Sequence, residues 1–214
     1  GYTESSAFPI GNPRFQASLS GTRSAFVSRF LNDLSGLPAS TYLGGALLDE
    51  ATAVAVDISN RVYVVGSTTS TDFPTANTFG ASYQTAPGGN GDAFITRLDN
   101  GLAICQASTY LGGNQVDAAM ALTVSSSTNA TWLYVAGYTR SANFPTTANV
   151  YDRTHNGGSD AFLVKFGDRL TAAAFANSTY FGGSNDDDAL AVMLAPDGYS
   201  AYIAGSTESA NLPI

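Results

Sequence analysis

The sequence predicts an all-β fold built from three copies of one four-stranded antiparallel unit. The first observation is a repeat. Ser40-Thr41-Tyr42-Leu43-Gly44-Gly45 returns as Ser108-Thr109-Tyr110-Leu111-Gly112-Gly113 and again as Ser178-Thr179-Tyr180-Phe181-Gly182-Gly183, with the tyrosines 68 and 70 residues apart. The second is local pattern. Short runs rich in β-branched and aromatic residues alternate with Gly, Asn, Asp and Pro, as strands alternate with turns. The third is an absence, since no stretch keeps helical periodicity beyond one or two turns. A fixed period marks solenoids and propellers. A period near 68 residues suits a four-stranded β-propeller blade with one long loop.

Taken in order, the chain opens on Gly1-Tyr2-Thr3-Glu4-Ser5-Ser6-Ala7-Phe8-Pro9, which matches Gly66 to Pro74, Gly137 to Pro145 and Gly205 to Pro213. The chain therefore holds three periods plus ten residues and is cut at the same point of the repeat at both ends. Within a period, Ala51 to Asp57 reads as the first strand and Val62 to Thr68 as the second. The turn between them is Ile58-Ser59-Asn60, and its third-repeat counterpart Pro196-Asp197-Gly198 is a strong hairpin signal. A Pro/Gly/Asn loop leads to the third strand, Asp92 to Leu98, matching Asp160 to Phe166 and Ser24 to Phe30. The turn Asp99-Asn100-Gly101 leads to the fourth, Ala103 to Gly112.

The strand lining a propeller channel is crowded by its counterparts and favours small side chains. Ala51, Ala53 and Ala55, then Ala118, Ala119 and Ala121, then Ala189 and Ala191 suit that place, which puts the Ser-Thr-Tyr strand outermost. The expected blades are 51–113, 118–183, and a split blade of 188–207 with 24–44.

The string Tyr-Leu-Gly-Gly, an acidic turn, Ala-Val-Ala-Val-Asp, Val-Tyr-Val-Val-Gly-Ser-Thr, Asp-Phe-Pro-Thr and Gly-Gly-Asn-Gly-Asp-Ala-Phe-Ile-Thr-Arg-Leu resembles the SBBP family of β-propeller repeats, and the inner strand pair resembles NHL-type blades. The resemblance recurs three times and covers nearly the whole chain. It implies secreted or surface proteins of bacteria and archaea, often large, and brings no catalytic residues. Propellers typically have four to eight blades, so three imply either a longer polypeptide or closure between chains. The expected partners are thus further blades or a second copy, arranged as a ring or a fibre.

Composition narrows the function. Charged residues make up 12% of the 214 residues, and the net charge is −8, from 17 acidic and 9 basic residues. Clustered Lys and Arg are what phosphate backbones and anionic lipids need, so nucleic acid and anionic membranes are not expected partners. No apolar run reaches the ~20 residues of a membrane span. Low Lys with abundant Ser, Thr, Asn and Gly points to an extracellular or cell-surface setting. Cys105 is the lone cysteine and aligns with Leu37 and Phe175, so it is expected to be a buried, unpaired packing residue.

Candidate chemistry lies in the acids. Asp49, Asp117 and Asp187 each follow the double glycine by four residues and would ring one mouth of the channel, with Asp186 and Asp188 adding charge in the third repeat. Clustered carboxylates are what Ca²⁺ takes; Asp closing a turn with backbone N–H groups is the alternative. Asp92 and Asp160, with Ser24 at the equivalent place, read as turn residues. Arg29, Arg97 and Lys165 recur late in the third strand and read as a solvated blade edge. His155, the lone histidine, has no partner for a catalytic triad. Tyr42, Tyr110 and Tyr180, with Tyr63, Tyr134 and Tyr202, read as inter-blade packing rather than sugar-stacking platforms. Asn129-Ala130-Thr131 and Asn177-Ser178-Thr179 are glycosylation sequons. The expected function is a non-catalytic structural or adhesive module for protein–protein assembly. The alternative is a propeller that binds or cleaves surface glycans, which would need residues that break the repeat to converge on one pocket.

Overall fold

The computed structural model describes residues 1–127, 130–198 and 200–213. The Asn129 sequon lies outside these residues. Four antiparallel sheets follow one another along the chain. The first holds β1 (Tyr2–Thr3), β2 (Ser24–Arg29) and β3 (Ala39–Leu43). The second is the meander β4 (Asp49–Val56), β5 (Val62–Thr68), β6 (Asp92–Leu98) and β7 (Cys105–Leu111). The third repeats it with β8 (Asp117–Ser126), β9 (Thr131–Thr139), β10 (Asp160–Gly167) and β11 (Phe175–Phe181). The fourth is the hairpin β12 (Asp187–Leu194) and β13 (Ala201–Thr207). The helical content among the described residues is one 3-10 turn, Ala172–Ala174.

These are propeller blades. The Ala-rich strands β4, β8 and β12 neighbour one another in turn, and the Ser-Thr-Tyr strands β7 and β11 lie at the far edge of their sheets. The first sheet packs on β4, and the last hairpin packs on β8, β9 and β10. The blades therefore form an arc rather than a closed ring. The expected split blade takes a different form within the chain. Segments 24–44 and 188–207 belong to separate sheets, because β1 occupies the place beside β2 that a strand like β13 would fill. The inner strands also begin one or two residues earlier than expected, at Asp49, Asp117 and Asp187, because the acidic residue is itself paired with the end of the next strand, as in Asp49 with Thr68.

Every complete inner pair carries a bulge at the same place. Ala51 and Ala53 face Gly66 and Val65, Ala119 and Ala121 face Gly137 and Ala136, and Ala189 and Ala191 face Gly205 and Ala204. An extra residue on one strand brings the opposing backbone close. A methyl group on Gly137 would run into the Ala118 carbonyl, and one on Gly66 into that of Glu50. The glycine of the Val-Tyr-Val-Val-Gly-Ser-Thr run follows from this contact.

The core lies between blades. Tyr63, Val65 and Ile95 of the second blade meet Leu133, Val135 and Phe162 of the third in one buried cluster. Ala25, Val27 and Leu43 meet Ala51, Val64 and Phe94 in another. Tyr83 stacks on Phe175 at 4.6 Å and meets Phe166 edge-on at 5.4 Å. Apolar burial of this kind contributes about 25 cal/mol per Å², and it is lost at the ends of the arc. Met193 and Tyr202 of the last hairpin are 70% and 64% exposed. The expected inter-blade role of the second tyrosine set thus holds for buried Tyr63, while Tyr202 faces solvent.

Two outcomes are expected. Cys105 is buried and free, and burial pushes its thiol pKa up to about 12. A thiol reagent should label native protein orders of magnitude more slowly than unfolded protein, because the thiolate is the nucleophile; equal rates would contradict the packing. Gly137→Ala should destabilise by about 1–3 kcal/mol through overpacking. Chemical denaturation checks this, and an unchanged midpoint would show that the bulge has room.

Candidate functional site

The acidic turn begins from a geometric problem. The chain leaves the outer strand of one blade, reverses, and enters the inner strand of the next, leaving a run of backbone N–H groups without strand partners, the first of them, on Gly45, buried. Each buried N–H needs an acceptor. In the first copy the Asp49 carboxylate accepts from the Gly45 N–H at 2.8 Å, from Ser70 Oγ at 3.1 Å and from Thr68 Oγ1. Ser70 Oγ in turn accepts from the Leu47 N–H at 2.9 Å, and Asp72 accepts from the Ala46 N–H at 2.8 Å. Asp117 repeats this with Gly113, Ser141 and Thr139. Asp187 repeats it with Gly183 at 2.6 Å and Ser209 at 2.8 Å.

The same residues staple adjacent blades by their backbone. The N–H groups of Asp49, Asp117 and Asp187 donate to the carbonyls of Arg23, Gly91 and Ser159, each in the preceding blade. The repeated tyrosine closes the motif from the outer strand. Tyr42, Tyr110 and Tyr180 are buried and donate their hydroxyls to the carbonyls of Ser5, Ser70 and Ser141 at 2.7–2.8 Å. The double glycine is what makes room. A methyl on the second glycine, Gly113, would meet Ser141 Cβ at 2.5 Å. One on the first, Gly112, would lie 2.6 Å from Asp92 Cγ and 2.7 Å from Asp117 Oδ2.

That last contact shows two buried carboxylates converging on one glycine. Asp92 Oδ2 accepts from the Gly88 N–H at 2.7 Å, while its Oδ1 has no hydrogen-bond partner among the described residues. Burial and the nearby charge of Asp117, working against the Gly88 and Gly89 N–H groups, push the Asp92 pKa up to about 6. Burial likewise raises Asp49 and Asp117. The next junction repeats the pair. Asp160 Oδ2 accepts from the Asn156 N–H, its Oδ1 lacks a partner, and burial with the charge of Asp187 raises it. In the first junction Ser24 stands where Asp92 and Asp160 stand, so no such pair arises.

The acids proposed from the sequence as cation ligands thus occupy three successive junctions. Their oxygens accept hydrogen bonds that close the turns. Asp186 Oδ1 accepts from the Ser159 N–H at 2.8 Å, and Asp188 Oδ1 accepts from Ser159 Oγ at 3.3 Å. No group of three or more metal-ligating acids, histidines or cysteines gathers among the described residues. His155 is half-buried in its loop, its ring edge-on to Tyr180 at 5.9 Å and its Nε2 without a hydrogen-bond partner among the described residues. Asn177 is exposed on β11.

Arg97 corrects the expectation of a solvated edge. It is 6% exposed, and its guanidinium donates to the Asp168 carboxylate at 2.8 Å and to Gln106 Oε1 at 2.9 Å. The reason is that this strand position faces the next blade's turn, which offers an acceptor. Arg29 does the same to Asn100 at 2.8 Å, whereas Lys165 lies over the rings of Trp132 and Tyr134. Arg61, which the repeat does not announce, joins the network through Asp57 and, at 2.9 Å, Asp168.

The raised Asp92 pKa has a defined sign. Between 3.8 and about 6 the folded state keeps a proton that the unfolded state has released. Stability therefore falls as pH rises through that window and levels off above it. Asp92→Asn keeps the acceptor for Gly88 and removes the charge beside Asp117. It should melt higher than the parent near neutral pH, by about 2–4 °C for each ~1 kcal/mol relieved, with the difference shrinking toward pH ~4. Thermal melts across this range check it; a variant less stable at every pH would show that the carboxylate is not strained.

Against known families, residues 40–74 match the SBBP beta-propeller repeat. That stretch runs from the Ser-Thr-Tyr-Leu-Gly-Gly strand through the Asp49 turn and the bulged inner pair to Phe73-Pro74. Comparison with curated proteins finds no match. The match to the SBBP beta-propeller repeat thus falls on one stretch, residues 40–74, of a chain whose sheets are propeller blades.

Proposed function

We propose that the chain is a non-catalytic β-propeller module of an extracellular or cell-surface protein, and that it works by joining blades into larger assemblies. The observation that supports this most is the pair of open strand edges. β13 pairs with β12 alone, and β2 is covered on its inner side only at Ser24, Ala25 and Phe26, by Thr3, Tyr2 and Gly1. Past Phe26 the edge of β2 is free, and the repeat states what belongs there. In the complete blades the strand ending in Gly-Ser-Thr or Gly-Tyr-Thr pairs along the full third strand, Val62 opposite Leu98 and Thr68 opposite Asp92. β13 has that sequence, and it would fill the free length of β2 by taking the place that Gly1 to Thr3 hold at one end. A second copy, or further blades of one polypeptide, covers both edges and the apolar face around Met193 and Tyr202. Exposed edges otherwise recruit other chains without control.

The glycan-binding alternative draws no support from the repeated tyrosines, since Tyr42, Tyr110 and Tyr180 are buried with their hydroxyls bonded. The test is the mass of the isolated 214-residue polypeptide in solution by light scattering. Association to at least twice 22.1 kDa is expected. A stable, monodisperse monomer at micromolar concentration would refute the proposal.

A further inference from the structure

At the rim opposite the carboxylate locks, a cleft of about 510 Å³ opens between the second and third blades. We propose that it binds an acidic sugar, a saccharide ring carrying a carboxylate. Three arginines reach this cleft, from a chain with nine basic residues and a net charge of −8. Arg61 and Arg97 converge on Asp168 at 2.9 and 2.8 Å, which shows that the cleft wall already holds a carboxylate between two guanidinium forks. Arg169 is exposed at the mouth and has no acidic partner among the described residues. With Asp57 and Asp168 set against Arg61, Arg97 and Arg169, one positive charge is left over. Burial disfavours the charge on Arg97, so an anion entering the cleft gains from it. Planar guanidinium groups bind carboxylates through paired, charge-assisted hydrogen bonds.

The second component is a ring face. Phe79 is 40% exposed, with the Arg97 and Arg169 guanidinium carbons 4.7 and 5.8 Å from its centroid. A sugar ring lying on Phe79 would bring its carboxylate to these cations, and the hydroxyl residues Ser59 and Thr131 line the same wall. Phosphate alone would leave the ring and the hydroxyls unused. The cleft has the size of a small-molecule site, ~300–1,000 Å³.

These residues depart from the repeat. Arg61 stands where the other periods have Trp132 and Ser200, and Asp168 where they have Asn32 and Asn100. Phe79 belongs to a loop three residues longer than its counterparts, Phe73 to Asp92 spanning 19 residues against 16 for Phe8 to Ser24 and for Phe144 to Asp160. Convergence of such departures on one cleft is what a binding site requires and a uniform scaffold does not.

Calorimetric titration of the intact chain with digalacturonate tests this, with its neutral counterpart galactobiose and inorganic phosphate as the other arms. Digalacturonate is expected to bind, and galactobiose and phosphate to bind at least about tenfold more weakly. Arg169→Ala and Phe79→Ala, both at exposed positions, should each weaken digalacturonate about tenfold with the circular dichroism spectrum and melting temperature unchanged. No binding of digalacturonate overturns the proposal. Equal affinity for galactobiose removes the role of the carboxylate, and equal affinity for phosphate removes the sugar. Binding indifferent to both substitutions places the ligand elsewhere and also overturns it.

Discussion

The buried carboxylate at the head of each inner strand is the constraint from which the rest of the repeat follows. An ionised group out of water costs several kcal/mol unless it is hydrogen-bonded. Asp49 and Asp117 meet that demand with three donors each, taken from two consecutive blades. The residues of the motif are consequences. The glycine four places earlier supplies an N–H and must lack a side chain, since a methyl on Gly113 has no space. The threonine that ends the second strand and the serine two residues beyond it supply hydroxyls. The Gly-Ser-Thr and Tyr-Leu-Gly-Gly strings, far apart in sequence, are two halves of one lock.

This explains which parts of the structure are legible from sequence. The period, the order of strands and the inner Ala-rich strand are readable because every copy solves the same packing problem with the same residue types. The turn role of Asp92 and Asp160 is readable because Ser24 fills it once. What escapes the sequence is what depends on the neighbouring blade. Arg97 looks like an edge residue on its own strand, and nothing local shows that Asp168, 71 residues away, meets its guanidinium. The pairing of Asp92 with Asp117 is hidden for the same reason. The bulge escapes because Ala51-Thr52-Ala53 alternates like an ordinary strand. The arginine cleft was legible only as departure from the repeat, a lengthened loop and an arginine in place of Trp132 and Ser200.

Symmetry and its violations therefore carry different information. Residues that recur hold blades together: the locks, the bulge glycines, the tyrosine hydroxyls. Of the residues that do not recur, Arg61, Phe79 and Asp168 gather at the other rim. Tolerance of insertion is a general property of surface connections. Here the lengthened loop leaves the blade at Thr68 and rejoins it at Asp92, both at the lock end, and carries Phe79 across to the arginines of the other rim.

The lock also has a direction. The end of β3 is held by Asp49, whose own partners Thr68 and Ser70 lie at the end of the following hairpin. A blade is thus finished only when the inner pair of its successor exists. During synthesis, where segments fold as they emerge, each blade is provisional until the next hairpin is made, and order passes along the chain one junction behind elongation. The growing end is then always a hairpin that waits for its own outer strands, and the molecule assembles by succession rather than by collapse.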